Sequence, residues 1–376
     1  MAKRAVGRRL LLALALLLVV VTGVGVLKSG GMPSALQVPD GASVQTAAIL
    51  PGVSCIEVVI PVQLSADAWF SFDVVGDLCR PQAPAGKVLQ VLVSGSGYGS
   101  AYWDFPYEAN TYSYVRAALR SGYSTFSFDR LGIGRSDHPL GALLTVDRQA
   151  AVLEQVIAFL KQEHSPTAVV TVGHSFGSVT SIAHALAHPD SVAGIVLTGF
   201  AHNTNPGFTM AMRDGVDLAA FSGPFVGRLV DPTYVISKPD SRADTFYTLG
   251  NTDPAVVQTD ELNRQPTSVG EVVSMSTYFG PQSRDLAVPV LLLVGENDFV
   301  VCGGALDCTD HGAVLAHEAE FFGPAACLET IVVDDTDHNA NLHRNAPDNF
   351  AIMLDWVSRR VGGGGGEPPA DPCLAG

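Results

Sequence analysis

The pentapeptide Gly173-His174-Ser175-Phe176-Gly177 constrains this chain more than any other stretch. The apolar run Ala168-Val169-Val170-Thr171-Val172 precedes it, and a helix-compatible segment, 178–186, follows. A strand that turns sharply into a helix with a serine at the apex forces that serine into strained backbone geometry. The residues two before and two after must then be small, and Gly173 and Gly177 are. The turn lifts the hydroxyl clear of the sheet and sets it at a helix N-terminus, where partial positive charge favours a negative oxygen. A chain with 38 glycines can produce Gly-x-Ser-x-Gly by chance; the strand before and the helix after give this one its meaning.

The rest of the chain supplies the sheet that such a turn needs. Strand-like runs at 55–64 and 69–75 have no helix between them, so they should form an antiparallel edge. From there strands at Val88–Val93, 124–128, 168–172, 194–200, 288–294 and Glu329–Val333 alternate with helical segments at 108–121, 145–164 and 348–360. The segment 145–164 is the strongest of these, with Val146, Ala150, Leu153, Val156, Ile157 and Leu160 at helical spacing. Alternation of this kind predicts an α/β fold: a mostly parallel twisted sheet with helices on both faces. Between about 201 and 287 the alternation is lost over a stretch too long for a simple crossover. An inserted lid is expected there.

The termini read differently from the body. Lys3, Arg4, Arg8 and Arg9 precede an uncharged apolar run, 10–27, closed by Lys28. Basic then apolar is an export signal. The run is long for a cleaved signal and about long enough to span a bilayer, so a signal peptide and an N-terminal transmembrane anchor over 1–28 are both open. A linker rich in Gly, Pro, Ser and Ala covers 29–52, the body 53–360, and a Gly- and Pro-rich tail expected to be disordered 361–376. The formal charge of −15 argues against nucleic acid and against an anionic membrane surface as partners.

Six cysteines fit an oxidising compartment and a protein secreted or held at the outer face of the cytoplasmic membrane. Cys55 with Cys79, on adjacent strand-like runs, is the first expected pair. Cys302 with Cys308 would close a small loop, and either of them with Cys327 competes with that. Cys373, in the tail, is the least defined. A metal site is a poor alternative, because no Cys-x-x-Cys pair occurs and histidines do not fall at matching spacings.

A serine hydroxyl is a weak nucleophile near neutral pH and needs a base, and the base needs a third group to hold its tautomer. In this chain order both should follow the serine, each on a loop after a later strand. Val290 to Val294 leads into Gly295-Glu296-Asn297-Asp298, and Asp298 is the candidate acid, with Glu296 its rival. Ile331-Val332-Val333 leads into Asp334-Asp335-Thr336-Asp337-His338. His338 is the candidate base, with His343 its rival. His174 is expected to point away from the serine, and Asp334, Asp335 and Asp337 to be loop acids. A developing oxyanion needs two N–H donors. Phe176, next after the serine, supplies one; the Gly-rich loop Ser94-Gly95-Ser96-Gly97-Tyr98-Gly99-Ser100 supplies the other, from Ser96 first and Gly97 next. A phosphate-binding reading of that loop fails, because its glycine spacing is wrong and no acid follows at ribose distance.

Over about 53–360 the chain resembles the α/β-hydrolase superfamily. The resemblance rests on Ser94-Gly95-Ser96-Gly97, Asp129-Arg130-Leu131-Gly132-Ile133-Gly134-Arg135-Ser136, Gly173 to Gly177, Asp298 and His338-Asn339-Ala340-Asn341-Leu342-His343. The Asp129 to Ser136 segment looks like a turn that shapes the site floor. Many relatives carry His-Gly at the oxyanion loop where this chain has Ser94-Gly95. The resemblance implies the α/β-hydrolase fold, no cofactor and no metal. It further implies a Ser-His-Asp hydrolase that cleaves a small-molecule ester, lipid-like or otherwise, with membrane anchoring through 10–27 left open. Ser175 argues against the dehalogenase and epoxide-hydrolase branches, in which an aspartate is implied at that position. The cysteine pattern looks like that of exported lipase- or esterase-like members. The alternatives are a cofactor-free perhydrolase, a peptidase, a thioesterase, or a non-catalytic binding protein on the same fold.

Overall fold

The computed structural model describes residues 50–65, 67–82, 87–363 and Cys373. Its strands are β1 (Val53–Val62), β2 (Phe72–Pro81), β3 (Val88–Val93), β4 (Ser124–Asp129), β5 (Ala168–His174), β6 (Gly194–Thr198), β7 (Val216–Leu218), β8 (Tyr234–Ser237), β9 (Thr267–Ser268), β10 (Val290–Gly295) and β11 (Glu329–Val333). Its α-helices are α1 (Ala109–Tyr112), α2 (Tyr114–Arg120), α3 (Val146–His164), α4 (Phe176–Ala187), α5 (Pro206–Asp214), α6 (Ala243–Phe246), α7 (Pro254–Leu262), α8 (Val269–Ser274), α9 (His311–Glu318) and α10 (Ala346–Arg360).

Eight strands form one sheet in the order β1-β2-β4-β3-β5-β6-β10-β11. From β4 to β11 every pairing is parallel; β1–β2 and β2–β4 are antiparallel. The antiparallel edge follows from the missing crossover helix between the first two strands. Strands β3, β4, β6 and β10 are buried throughout, as helix cover on both faces demands. Alternate residues of β3 enter two separate cores. Leu89, Val91 and Val93 pack with α3 and α4, while Val88 and Leu92 pack with α2 and α10.

The chain leaves the sheet at Thr198 and rejoins it at Val290. Between them lie α5 to α8 and a separate three-stranded antiparallel sheet in the order β7-β8-β9. We refer to this segment as the insertion.

Local chemistry explains where sequence expectations shift. The helix expected over 108–121 breaks at Ser113, whose hydroxyl accepts the Arg116 N–H at 3.0 Å and starts a second helix. The second strand begins at Phe72 rather than 69, and Trp69 is 87% exposed beside Phe70. Cys55 and Cys79 lie directly opposite each other in the β1–β2 register and are bonded. Cys302 is bonded to Cys308, and Cys327 to Cys373.

The transmembrane expectation is corrected: among the described residues no helix is long and apolar enough to cross a membrane. The run 10–27 on which that expectation stood, the linker to 49, and the tail beyond Gly363 other than Cys373 lie outside the described residues.

Candidate active site

Ser175 caps α4 at φ +53° and ψ −117°, left-handed territory that a side chain enters only when its surroundings compel it. Thr198 O accepts its N–H at 2.8 Å, which pins the turn to the end of β6. The small flanks are required by close approach. A Cβ on Gly177 would stand 2.0 Å from Val93 O, and one on Gly173 would stand 2.6 Å from Gly177 O. Phe176 N–H is the first amide of α4 and so lacks an intrahelical acceptor. The loop after β3 lies against the serine, since a Cβ on Gly95 would sit 3.0 Å from Ser175 Cβ. Ser96 and Gly97 form the tip of that loop, whose turn is closed by Tyr98 N–H donating to Gly95 O at 3.3 Å.

Asp298 is fully buried just beyond β10, and its carboxylate oxygens both lie 3.0 Å from His338 Nδ1. Oδ1 also accepts the Val300 and Val301 N–H groups at 3.0 and 3.3 Å. The carboxylate is therefore fixed in place by backbone amides, and with Nδ1 engaged the remaining imidazole nitrogen, Nε2, is the one free to take a proton. Asp337 clips the two loops together. Its Oδ1 accepts both the Phe299 N–H at 3.0 Å and the His338 N–H at 2.7 Å. Burial, and then the nearby Asp298, push the Asp337 carboxyl up to about 7.

Ser175 and His338 both lie against the end of β6. The Ser175 N–H is on Thr198 O, and a Cβ on the next residue, Gly199, would lie 3.1 Å from His338 Cε1. Among the described residues the Ser175 hydroxyl and His338 are not hydrogen-bonded. Such bonds often close only with substrate in place.

Other side chains take places the sequence did not announce. His174 is fully buried, stacked on Tyr102 at 4.2 Å, with its ring 4.9 Å from that of His338. Burial, and then His338, hold it well below the ordinary imidazole range, so it is neutral. His343 is a scaffold residue. Its Nε2 accepts the Thr248 and Asp337 N–H groups at 3.0 and 3.2 Å, and burial lowers it to about 4. Glu296 accepts the Asp335 N–H at 2.9 Å and takes no part in holding His338. From the insertion, the Phe246 ring packs 5.4 Å from that of His338, and its carbonyl accepts the Asn339 N–H at 3.3 Å. Asp129 accepts the Ser100 and Arg135 N–H groups, which ties the turn after β4 to the oxyanion loop. Among the described residues no group of three His, Cys, Asp or Glu side chains is arranged to hold a metal ion.

A model of the alpha/beta hydrolase family matches residues 90–351. The chain belongs to that family. Among curated proteins it is similar to a 2-hydroxy-6-oxononadienedioate/2-hydroxy-6-oxononatrienedioate hydrolase of Paraburkholderia phymatum. The two are 26% identical over 216 residues, 57% of this chain and 72% of the relative. Among solved structures it resembles a thermophilic esterase from Thermogutta terrifontis, with a TM-score of 0.53 and 17% identity over 80% of this chain and 98% of the other. Naproxen esterase (carboxylesterase NP) from Bacillus subtilis gives a TM-score of 0.54 and 17% identity over 80% and 91%. At that identity the structural likeness establishes the alpha/beta hydrolase fold and no more.

Proposed function

We propose that this hydrolase cleaves carboxylic esters of small molecules through an acyl-enzyme. Ser175 Oγ attacks the ester carbonyl while His338 Nε2 takes its proton, and Asp298 holds the imidazolium through Nδ1. The N–H groups of Phe176 and Ser96 receive the oxyanion. Collapse expels the alcohol with the proton from His338. Water then gives a proton to His338, attacks the acyl carbon and releases the acid. The observation that supports this most is the buried Asp298–His338 pair, whose ring reaches the strand end that pins the strained Ser175. p-Nitrophenyl esters of graded chain length test it: turnover by the wild type should fall by roughly 10⁴-fold or more in Ser175→Ala. Equal turnover in the two proteins would overturn the reading.

The curated relative carries a second reading, in which the electrophile is a ketone of an unsaturated dicarboxylic keto acid. The same side chains would serve it. Ser175-dependent cleavage of such a keto acid, with no ester turned over, would favour it.

Export is part of the proposal. The disulfides Cys55–Cys79, Cys302–Cys308 and Cys327–Cys373 and the basic-then-apolar opening support it. Finding the protein with its thiols reduced in the cytoplasmic fraction would speak against it.

A further inference from the structure

Two buried arginines converge on the loop after β3, and each is paired with a carboxylate of the insertion. Arg130, at the end of β4, is 1% exposed. Its Nε donates to Ser94 O at 2.9 Å and its Nη2 to Gly95 O at 3.0 Å. Its Nη1 is bonded to Glu271 of α8, and its guanidinium carbon lies 4.8 Å over the ring of Phe176. Arg242 comes from the insertion itself and is 2% exposed. Its Nη2 donates to Gly97 O at 2.5 Å and its Nη1 to Asp260 at 2.6 Å, with the guanidinium carbon 4.3 Å over the Tyr98 ring. Gln265 N–H donates to the same Gly97 O at 3.0 Å. Tyr98 continues the network to Asp260 and to Asn339, the neighbour of His338.

Carbonyls held in this way orient amides. In a trans peptide the C=O and the N–H point in opposite directions. Arg130 Nη2 and Tyr98 N–H both hold Gly95 O, so the Ser96 N–H of the same peptide faces away from Arg130. Gly97, at φ +74°, occupies the third position of the turn, where a positive φ is needed. Fixing Gly95 O and Gly97 O therefore fixes both ends of the turn that carries Ser96.

We propose that the insertion sets the oxyanion loop: the Arg130–Glu271 and Arg242–Asp260 pairs hold the carbonyls of Ser94, Gly95 and Gly97 and so aim the Ser96 N–H at the developing oxyanion. Arg130, Arg242, Glu271 and Asp260 are positioning residues. Buried ion pairs add little to stability over apolar groups of the same volume. Apolar groups could not hold three carbonyls in place. Both carboxylates come from the insertion while the loop belongs to the sheet, so a shift of the insertion moves the loop with it.

This inference rests on the serine-hydrolase reading, and the test separates the two. The full chain and its Arg130→Lys, Arg242→Lys, Glu271→Gln and Asp260→Asn variants are titrated with a fluorophosphonate to count active sites. Each is then assayed on the best p-nitrophenyl ester and with an aryl trifluoromethyl ketone, which adds reversibly to the serine and places an oxyanion in the same hole. The expected result is a loss of roughly 10²-fold in kcat per titrated site with KM within a few-fold, and a trifluoromethyl ketone Ki weakened in proportion. Ki is read on the active fraction alone, so partial unfolding of a variant does not imitate this result. Where an arginine variant does not fold, Asp260→Asn and Glu271→Gln carry the test with almost unchanged volume. Variants with unchanged kcat per site and unchanged Ki would overturn the proposal. A wild-type chain that the fluorophosphonate does not label would overturn the serine-hydrolase reading instead.

Discussion

His338 Nδ1 lies 3.0 Å from each carboxylate oxygen of Asp298, although the two residues stand 40 positions apart. Both are buried, and the carboxylate is further held by the Val300 and Val301 amides. An imidazole held so closely keeps one tautomer, with Nε2 presented as the base. Asp298→Asn keeps the volume but offers an N–H donor where Nδ1–H needs an acceptor. It should lower kcat by about 10⁴-fold. Single-turnover kinetics on the best ester check this, and near-wild-type rates would mean that another carboxylate holds the histidine.

Asp337 predicts a pH dependence of stability. Its carboxyl is raised from 3.8 to about 7 by burial and then by Asp298. A carboxyl raised on folding binds its proton more tightly in the folded chain. Its contribution is therefore present below about pH 4 and is lost as pH rises through about 7. Asp337→Asn keeps an oxygen to accept the Phe299 and His338 amides but does not titrate. Urea unfolding at pH 4.5 and pH 8 should show the stability difference moving in favour of the variant by roughly 2–4 kcal/mol at the higher pH. A difference that stays constant with pH would contradict the assignment.

The Cys55–Cys79 bond joins the edge strand β1 to β2, away from Ser175, Asp298 and His338, across a separation of 24 residues. Cys55→Ser with Cys79→Ser should cost about 3 kcal/mol of stability by loop entropy and leave kcat unchanged. Chemical denaturation together with an ester assay measures both.

The close approach at the turn makes a further prediction. Gly177→Ala would drive a methyl group into Val93 O, which is backbone and cannot swing aside. The turn or the oxyanion loop that follows β3 must move. Activity should fall by roughly 10²-fold or more, with a stability loss of about 2 kcal/mol or more. Assay and melting of the purified variant decide it, and a fully active variant would show that the helix start can shift.

The sheet and the three candidate side chains were legible in the sequence because each depends on local pattern. Val88–Val93 and Glu329–Val333 are short apolar runs bounded by turn residues, and they fold over those spans. Asp298 and His338, which the fold pairs, could be singled out because loops after strands are short and both lie a few residues past a strand end. Cys55 and Cys79 were paired because their runs adjoin. Four features had no such local signal. Arg242 and Asp260 lie in an insertion without helical or strand periodicity, and their partner Gly97 is far off in the chain. Arg130 stood in a motif whose glycines and aspartate account for the turn, which gave no reason to look for its ties to Ser94 and Gly95. The packing of His174 against His338 joins the end of β5 to a loop far off in the chain, a contact that a sequence pattern does not carry. The break at Ser113 was hidden because a capping serine reads as an ordinary helix residue until its hydroxyl is seen accepting an amide.

Fluorophosphonate labelling followed by peptide mass spectrometry tests the central claim most directly. The account predicts one phosphonyl group per wild-type chain, on the peptide that carries Ser175, and none on Ser175→Ala. A folded wild-type chain that hydrolyses esters while that peptide stays unmodified would contradict it.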